Sequence, residues 1–212
     1  FLNHESFEPG GTVNTSPMLI ARVRDDNGFN LSTSSIGHEM NIRIDDDINL
    51  TDVSSGFTPD SDGSPAGDIV YQLPELTPGN HTARLKVWDI GGNSTTASVE
   101  FFVDPSAAPK IFDMYSDANP ATTEANFYII HNRPESMLSV TVEIYDLGGS
   151  RLWSSTTTGR ADMYASKPVT WDLTNSTGQR VGRGIYLYRT TVTSTDNGES
   201  SVMTKRIAVA GM

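Results

Sequence analysis

Hydrophobic and polar residues alternate with a period of two along most of this chain, and the 3.6-residue period of a helix is nearly absent. Leu19, Ala21 and Val23 interleave with Ile20, Arg22 and Arg24, and Met40, Ile42 and Ile44 with Asn41, Arg43 and Asp45. Ala83, Leu85 and Val87 alternate with Arg84, Lys86 and Trp88, and Val99, Phe101 and Val103 with Glu100 and Phe102. Asp68 to Leu73 is a further strand candidate, and Asp45 to Pro65 reads as a long polar loop. In the second half Leu138, Val140, Val142 and Ile144 alternate with Ser139, Thr141, Glu143 and Tyr145. Further strands are expected at 126–131, 151–155, 169–173, 184–193 and 202–209.

Turn formers separate these runs: Asp26-Asn27-Gly28, Pro78-Gly79-Asn80, Gly91-Gly92-Asn93 and Asp146-Leu147-Gly148-Gly149. Gly and Asn accept positive φ at low cost, so the chain reverses there. Many short strands at this spacing predict an all-β protein of immunoglobulin-like β-sandwiches. One phrase occurs twice, Val87-Trp88-Asp89-Ile90-Gly91-Gly92 and Ile144-Tyr145-Asp146-Leu147-Gly148-Gly149. Its offset is too short for a domain repeat, so it reads as one hairpin chemistry used twice.

Length and charge divide the chain. Its 212 residues fit two domains of about 100 residues each. Residues 1–104 contain 5 Lys/Arg and 16 Asp/Glu, and residues 105–212 contain 10 of each. The break falls at Asp104-Pro105-Ser106-Ala107-Ala108-Pro109, a short Pro/Ala linker. The expectation is therefore two consecutive sandwich domains, an acidic one over 1–104 and a neutral one over 105–212. A net charge of −11 argues against nucleic acid as a partner. With no cysteine there is no disulfide, no thiolate metal site and no cysteine nucleophile. The chain opens on Phe1 without a basic n-region or an apolar h-region, so it is expected to be a fragment whose upstream part is missing. No apolar run reaches the ~20 residues of a membrane helix.

Candidate chemistry is sparse. Asp45, Asp46 and Asp47 with Asp52, and Asp60 with Asp62 before Gly63, are calcium candidates, since calcium wants six to eight hard oxygens. They read rather as solvated acidic loops. His4, His38, His81 and His131 invite a hydrolytic triad, but no Gly-x-Ser-x-Gly elbow accompanies them. Neither a dinucleotide fingerprint nor a phosphate-binding loop occurs. Trp153, Trp171, Tyr186 and Tyr188 offer a sugar-binding platform or, alternatively, strand packing. Catalytic residues, cofactors and a metal beyond possible calcium are not expected.

Several motifs of the second half follow one another in a familiar order. They are Asn119-Pro120, then Val140 to Leu152 with Gly148-Gly149, Trp171-Asp172, Gly184-Ile185-Tyr186-Leu187-Tyr188-Arg189 and Lys205-Arg206-Ile207-Ala208-Val209. In this the segment resembles the type A C-terminal sorting domain of the Bacteroidetes type IX secretion system, with Ala121 where many members have phenylalanine and Ser150 where many have arginine. Leu19 to Val23, Ile36-Gly37-His38-Glu39, Tyr71 to Leu76, Leu85 to Asp89 and His131-Asn132-Arg133-Pro134 are similar to the region after the peptidase domain of PorU-type, gingipain-like sortases. The resemblance implies a non-catalytic C-terminal part of a cysteine-peptidase-like parent, exported to the bacterial cell surface and held at a PorV-like outer-membrane barrel protein by the type IX translocon. The first domain would be a spacer. The sorting signal would lie in Asn119, Pro120, Gly148, Gly149, Gly184, Lys205, Arg206, Ile207, Ala208 and Val209. A sandwich edge at the last strand could pair with that partner by strand addition. The competing reading is a carbohydrate-binding or adhesive module of a secreted enzyme.

Overall fold

The structure is a computed structural model and describes residues 1–31, 38–62, 64–163 and 165–210. It divides into two compact units, Phe1–Ala107 and Ala108–Met212. Both are β-sandwiches of immunoglobulin-like type, as the alternation predicts. Strands make up 53% of the chain, and the only helical turn among the described residues is a 3-10 turn at Ser54–Gly56.

The first unit contains β1 (Thr12–Val13), β2 (Met18–Arg24), β3 (Asn41–Ile44), β4 (Thr51–Asp52), β5 (Phe57–Pro59), β6 (Ala66–Gln72), β7 (Gly79–Trp88) and β8 (Ser94–Val103). One sheet has the order β1-β8-β7-β3-β4 and the other β2-β6-β5. Leu19 and Ile69 from the smaller sheet meet Ile42, Leu85, Val87, Phe101 and Val103 from the larger in one core. These are the residues the alternation assigns to the inner faces. The expected polar loop at 45–65 is not all loop. Val53 is fully buried, and β4 and β5 flank it as strands of two and three residues. Strands that short are below the length at which a period can be read.

The second unit contains β9 (Ile111–Ser116), β10 (Ala125–His131), β11 (Met137–Tyr145), β12 (Arg151–Arg160), β13 (Val169–Trp171), β14 (Gly184–Ser194) and β15 (Ser200–Val209). A three-stranded sheet β13-β10-β9 faces a four-stranded sheet β12-β11-β14-β15. The core is closed by Phe127 and Ile129 from one side and Val140, Val142, Ile144, Val192 and Ile207 from the other. Strand β12 runs five residues beyond its expected end, through Thr156-Thr157-Thr158-Gly159-Arg160. Those residues carry no apolar alternation, and the backbone ladder to β11 alone extends the strand. Strand β9 is a further addition, with Ile111 and Met114 buried.

The repeated phrase is indeed one hairpin chemistry. In β7–β8 the Asp89 and Asn93 backbones pair, the Gly92 N–H donates to the Asp89 carbonyl, and Asp89 Oδ1 accepts the Asn93 N–H at 2.7 Å. In β11–β12 Asp146, Gly149 and Ser150 repeat every bond, with Asp146 Oδ1 accepting the Ser150 N–H at 2.8 Å. The fourth residue has φ of 84° at Gly92 and 86° at Gly149, a left-handed conformation that disfavours a Cβ. Gly149→Ala is expected to lower the melting temperature of the second unit, at a cost of about 1 kcal/mol, because the space is open and only the backbone is strained. Gly148→Ala, without positive φ, should cost less in the same melt.

Candidate functional site

Five of the ten sorting-signal candidates meet at one end of the second unit. Strand β15 is an edge of the four-stranded sheet, and its last residues are clasped on the open side by the 119–121 segment. Asn119 Oδ1 accepts the Ala208 N–H at 2.9 Å, the Ala121 N–H donates to the Ala208 carbonyl at 2.8 Å, and the Ala210 N–H donates to the Ala121 carbonyl at 2.9 Å. Ala121 and Val209 thus form a parallel bridge, beside a cis Asn119–Pro120 peptide. On the other side Gly184 pairs with Val209 and Ile185 with Ala208. Asn119, Pro120, Gly184, Ala208 and Val209 therefore sit together at one end of the unit.

Ile207 and Val209 point inward, at 0% and 4% exposure, and Lys205 on the same face forms an ion pair with Asp113 of β9. That pairing, followed by the Met114 N–H, holds the Asp113 carboxyl below its ordinary pKa against the small desolvation that opposes it. Arg206, one residue on, is exposed on the outer face. Gly148 and Gly149 lie in the β11–β12 turn and do not touch the clasp. The turn follows Tyr145, whose register partner is Leu187 of β14, and Leu187 pairs in turn with Arg206. Sequence reasoning missed Ala121, which is fully buried where the clasp meets β15, and Asp113. The partners of both lie about 90 residues away, so no local signal marks them.

The aromatic candidates are core. Trp171 is fully buried between Trp153 (6.3 Å) and Tyr186 (6.0 Å), and its Nε1–H donates to the Thr174 carbonyl at 2.8 Å. Tyr188 is 2% exposed, and burial, helped by the Asp113 charge, pushes its pKa up to about 12. Neither ring can face a glycan, which removes half of the expected sugar platform.

The calcium candidates are engaged elsewhere. Asp45 accepts the Thr82 N–H at 2.7 Å and contacts His81, and Asp47 accepts the Asn49 N–H at 2.9 Å. Asp60 is forked on Arg22, and Asp62 accepts the Ser64 N–H at 2.9 Å. Asp46 lies 3.6 Å from Arg84, and Asp52 accepts the Ser54 N–H at 2.8 Å. Gly63, Ile36 and Gly37 lie outside the described residues. Among the described residues no group of three or more His, Asp or Glu side chains is placed to hold a metal ion.

The histidines are likewise held by structure. His4 meets Ser6 within a local turn, His38 packs edge-on against Trp88 at 4.3 Å, and fully buried His131 accepts the Arg133 N–H through Nδ1 at 3.1 Å. His81 bridges two acceptors, Asp45 Oδ2 through Nδ1 and the Thr77 carbonyl through Nε2, both at 2.7 Å. Two acceptors require both ring nitrogens to carry protons, so the bridge is complete only in the imidazolium. Burial opposes that charge, and the Thr77 carbonyl and Asp45 outweigh it, so the His81 pKa is raised above 6.5. A group with a raised folded pKa stabilises fully below its unfolded pKa and loses that contribution as pH rises through the folded value. The first unit should therefore lose thermal stability as pH rises above about 6.5, and His81→Gln should lose about 1 kcal/mol at low pH and flatten that profile in a melting series. An unchanged profile in the variant would refute the bridge.

No protein-family model matches the chain, and no curated protein sequence is significantly similar to it. Among solved structures, the crystal structure of dimeric latent PorU from Porphyromonas gingivalis is 36% identical over 100% of this chain, with a TM-score of 0.53. The chain is similar throughout to one part of PorU. It spans 20% of that PorU chain. PorZ, described as an essential surface component of the type IX secretion system of the same organism, is 19% identical over 60% of this chain and 15% of its own, with a TM-score of 0.30. SGBP-B of the Bacteroides ovatus mixed-linkage glucan utilization locus, in complex with a mixed-linkage heptasaccharide, is 17% identical over 98% of this chain and 44% of its own, with a TM-score of 0.38. At those scores neither likeness bears on function, and of these three the PorU match is the one that carries weight.

Proposed function

We propose that this chain is the non-catalytic C-terminal region of a PorU-type sortase of a type IX secretion system, exported to the bacterial cell surface. The observation that carries the reading is the 36% identity to PorU across the full length of the chain. Residues 1–104 serve as the spacer behind a cysteine-peptidase-like domain, and residues 105–212 serve as the sorting and anchoring domain. The anchor partner is a PorV-like outer-membrane barrel protein. What supports a role for the end of β15 is that the clasp gathers Asn119, Pro120, Gly184, Ala208 and Val209 at one end of the fold. The clasp bonds the Ala208 backbone, so strand addition by the partner is confined to the edge before it, over Val202 to Arg206. A reporter fused to residues 105–212, in a host with this secretion system, is expected at the cell surface. Retention in the periplasm, while a known sorting domain succeeds, would refute the address function.

A further inference from the structure

The outer face of β14 and β15 carries a surface that neither the core nor the clasp uses. Along β14, Tyr186, Tyr188 and Val192 face the core, so Ile185, Leu187 and Arg189 take the opposite face. Ile185 is 46% exposed, and Arg183, just before the strand, is exposed too. The register sets Arg206 beside Leu187 and Ala208 beside Ile185, with Tyr145 of β11 on the far side of Leu187. The β11–β12 turn that follows Tyr145 adds Leu147 at 69% exposure. Ile185, Leu187, Arg189 and Arg206 thus share one face of the sheet, with Arg183 and Leu147 exposed at the end of their strands.

The cations are largely uncompensated. Among the described residues Arg183, Arg189 and Arg206 form no ion pair, whereas Arg151 is bonded to Glu143 at 2.8 Å. Glu143 is held ionised mainly by Arg151, with Arg189 contributing at longer range. Two carboxylates, Glu143 and the turn residue Asp146, which also accepts the Ser150 N–H, therefore stand against four arginines in a chain whose net charge is −11.

We propose that this face docks on an anionic lipid surface, the arginines meeting headgroup phosphates while Ile185 and Leu147 enter the boundary beneath them. Size decides between lipid and an acidic protein. Six residue steps from Arg183 to Arg189 and three strand widths enclose on the order of 300 Å², well under the ~800 Å² that each partner of a stable protein complex buries. A lipid surface needs no shape match, and protruding apolar side chains gain from it what they would lose against a charged protein. The inference does not depend on the sortase assignment.

The test is sedimentation of the 212-residue chain with vesicles of mixed phosphatidylglycerol and phosphatidylcholine, or of phosphatidylcholine alone. Binding is expected on the anionic vesicles only and should weaken with salt. Arg183→Ser with Arg206→Ser should weaken it about 25-fold, about fivefold for each guanidinium, with unchanged melting. Ile185→Ser should weaken it as well. Absence of binding to anionic vesicles, or equal binding by the double arginine variant, overturns the proposal. Soluble polyglutamate that binds as tightly as the vesicles, with Ile185→Ser without effect, would assign the face to an acidic protein and overturn it too.

Discussion

Trp171→Ala is expected to destabilise the second unit by about 3–5 kcal/mol, enough to unfold much of it at physiological temperature. The indole is fully buried at the end of β13, touches Trp153 and Tyr186, and satisfies its own N–H on the Thr174 carbonyl. Alanine would leave a cavity between the two sheets and orphan that carbonyl. Trp171→Phe keeps most of the ring volume and should lose only part of this, since it forfeits the hydrogen bond. In thermal melts followed by circular dichroism the alanine variant should fall by about 15 °C or more. A change of only a few degrees would mean that the ring lies at the surface, and would reopen the glycan-platform reading.

Ile207→Ala should cost about 2–5 kcal/mol, while its neighbour Arg206→Ser should stay within about 0.5 kcal/mol of the parent. Ile207 is fully buried on the inner face of β15 and Arg206 is exposed on the outer face, so adjacent positions of one motif do different work. Any loss of export in an Ile207 or Val209 variant would reflect a sandwich that has not closed. A loss in an Arg206 variant that melts normally would instead report a contact with something outside the chain. Comparing melting with surface delivery for both substitutions separates the two, and equal melting losses would contradict the described facing of β15.

The inner faces of both sandwiches were legible because they are built from residues such as Leu85, Val87, Val140 and Val142, which alternate cleanly with polar neighbours. The hairpin turns were legible because a left-handed fourth residue demands the glycine that the sequence shows at 92 and 149. Strands β4 and β5 were not, being too short for a period, and the far half of β12 was not, because threonines occupy both of its faces. At the candidate site the sequence singled out Asn119 and the last strand only through a resemblance. That Asn119 bonds Ala208 and that Asp113 pairs with Lys205 depends on segments brought together from opposite ends of the unit, which no local pattern encodes. The aromatic residues were ambiguous for a different reason, since the same ring suits a half-buried strand face and a sugar platform.

The clasp has a consequence for how the second unit comes into being. Its bond from Asn119 to Ala208 spans 89 residues, and the inward side chains of Ile207 and Val209 complete the interior last. During synthesis on a ribosome, a nascent chain emerging from its amino end can pair β10 and β11 with their neighbours, yet it lacks the strand that seals them until residue 209 is free of the exit tunnel. Closure of so long a loop is entropically slow and brings no reward until it is nearly finished. Newly made molecules thus pass through an interval in which this half is still pliable, and a holding chaperone would find its apolar surface open only in that interval.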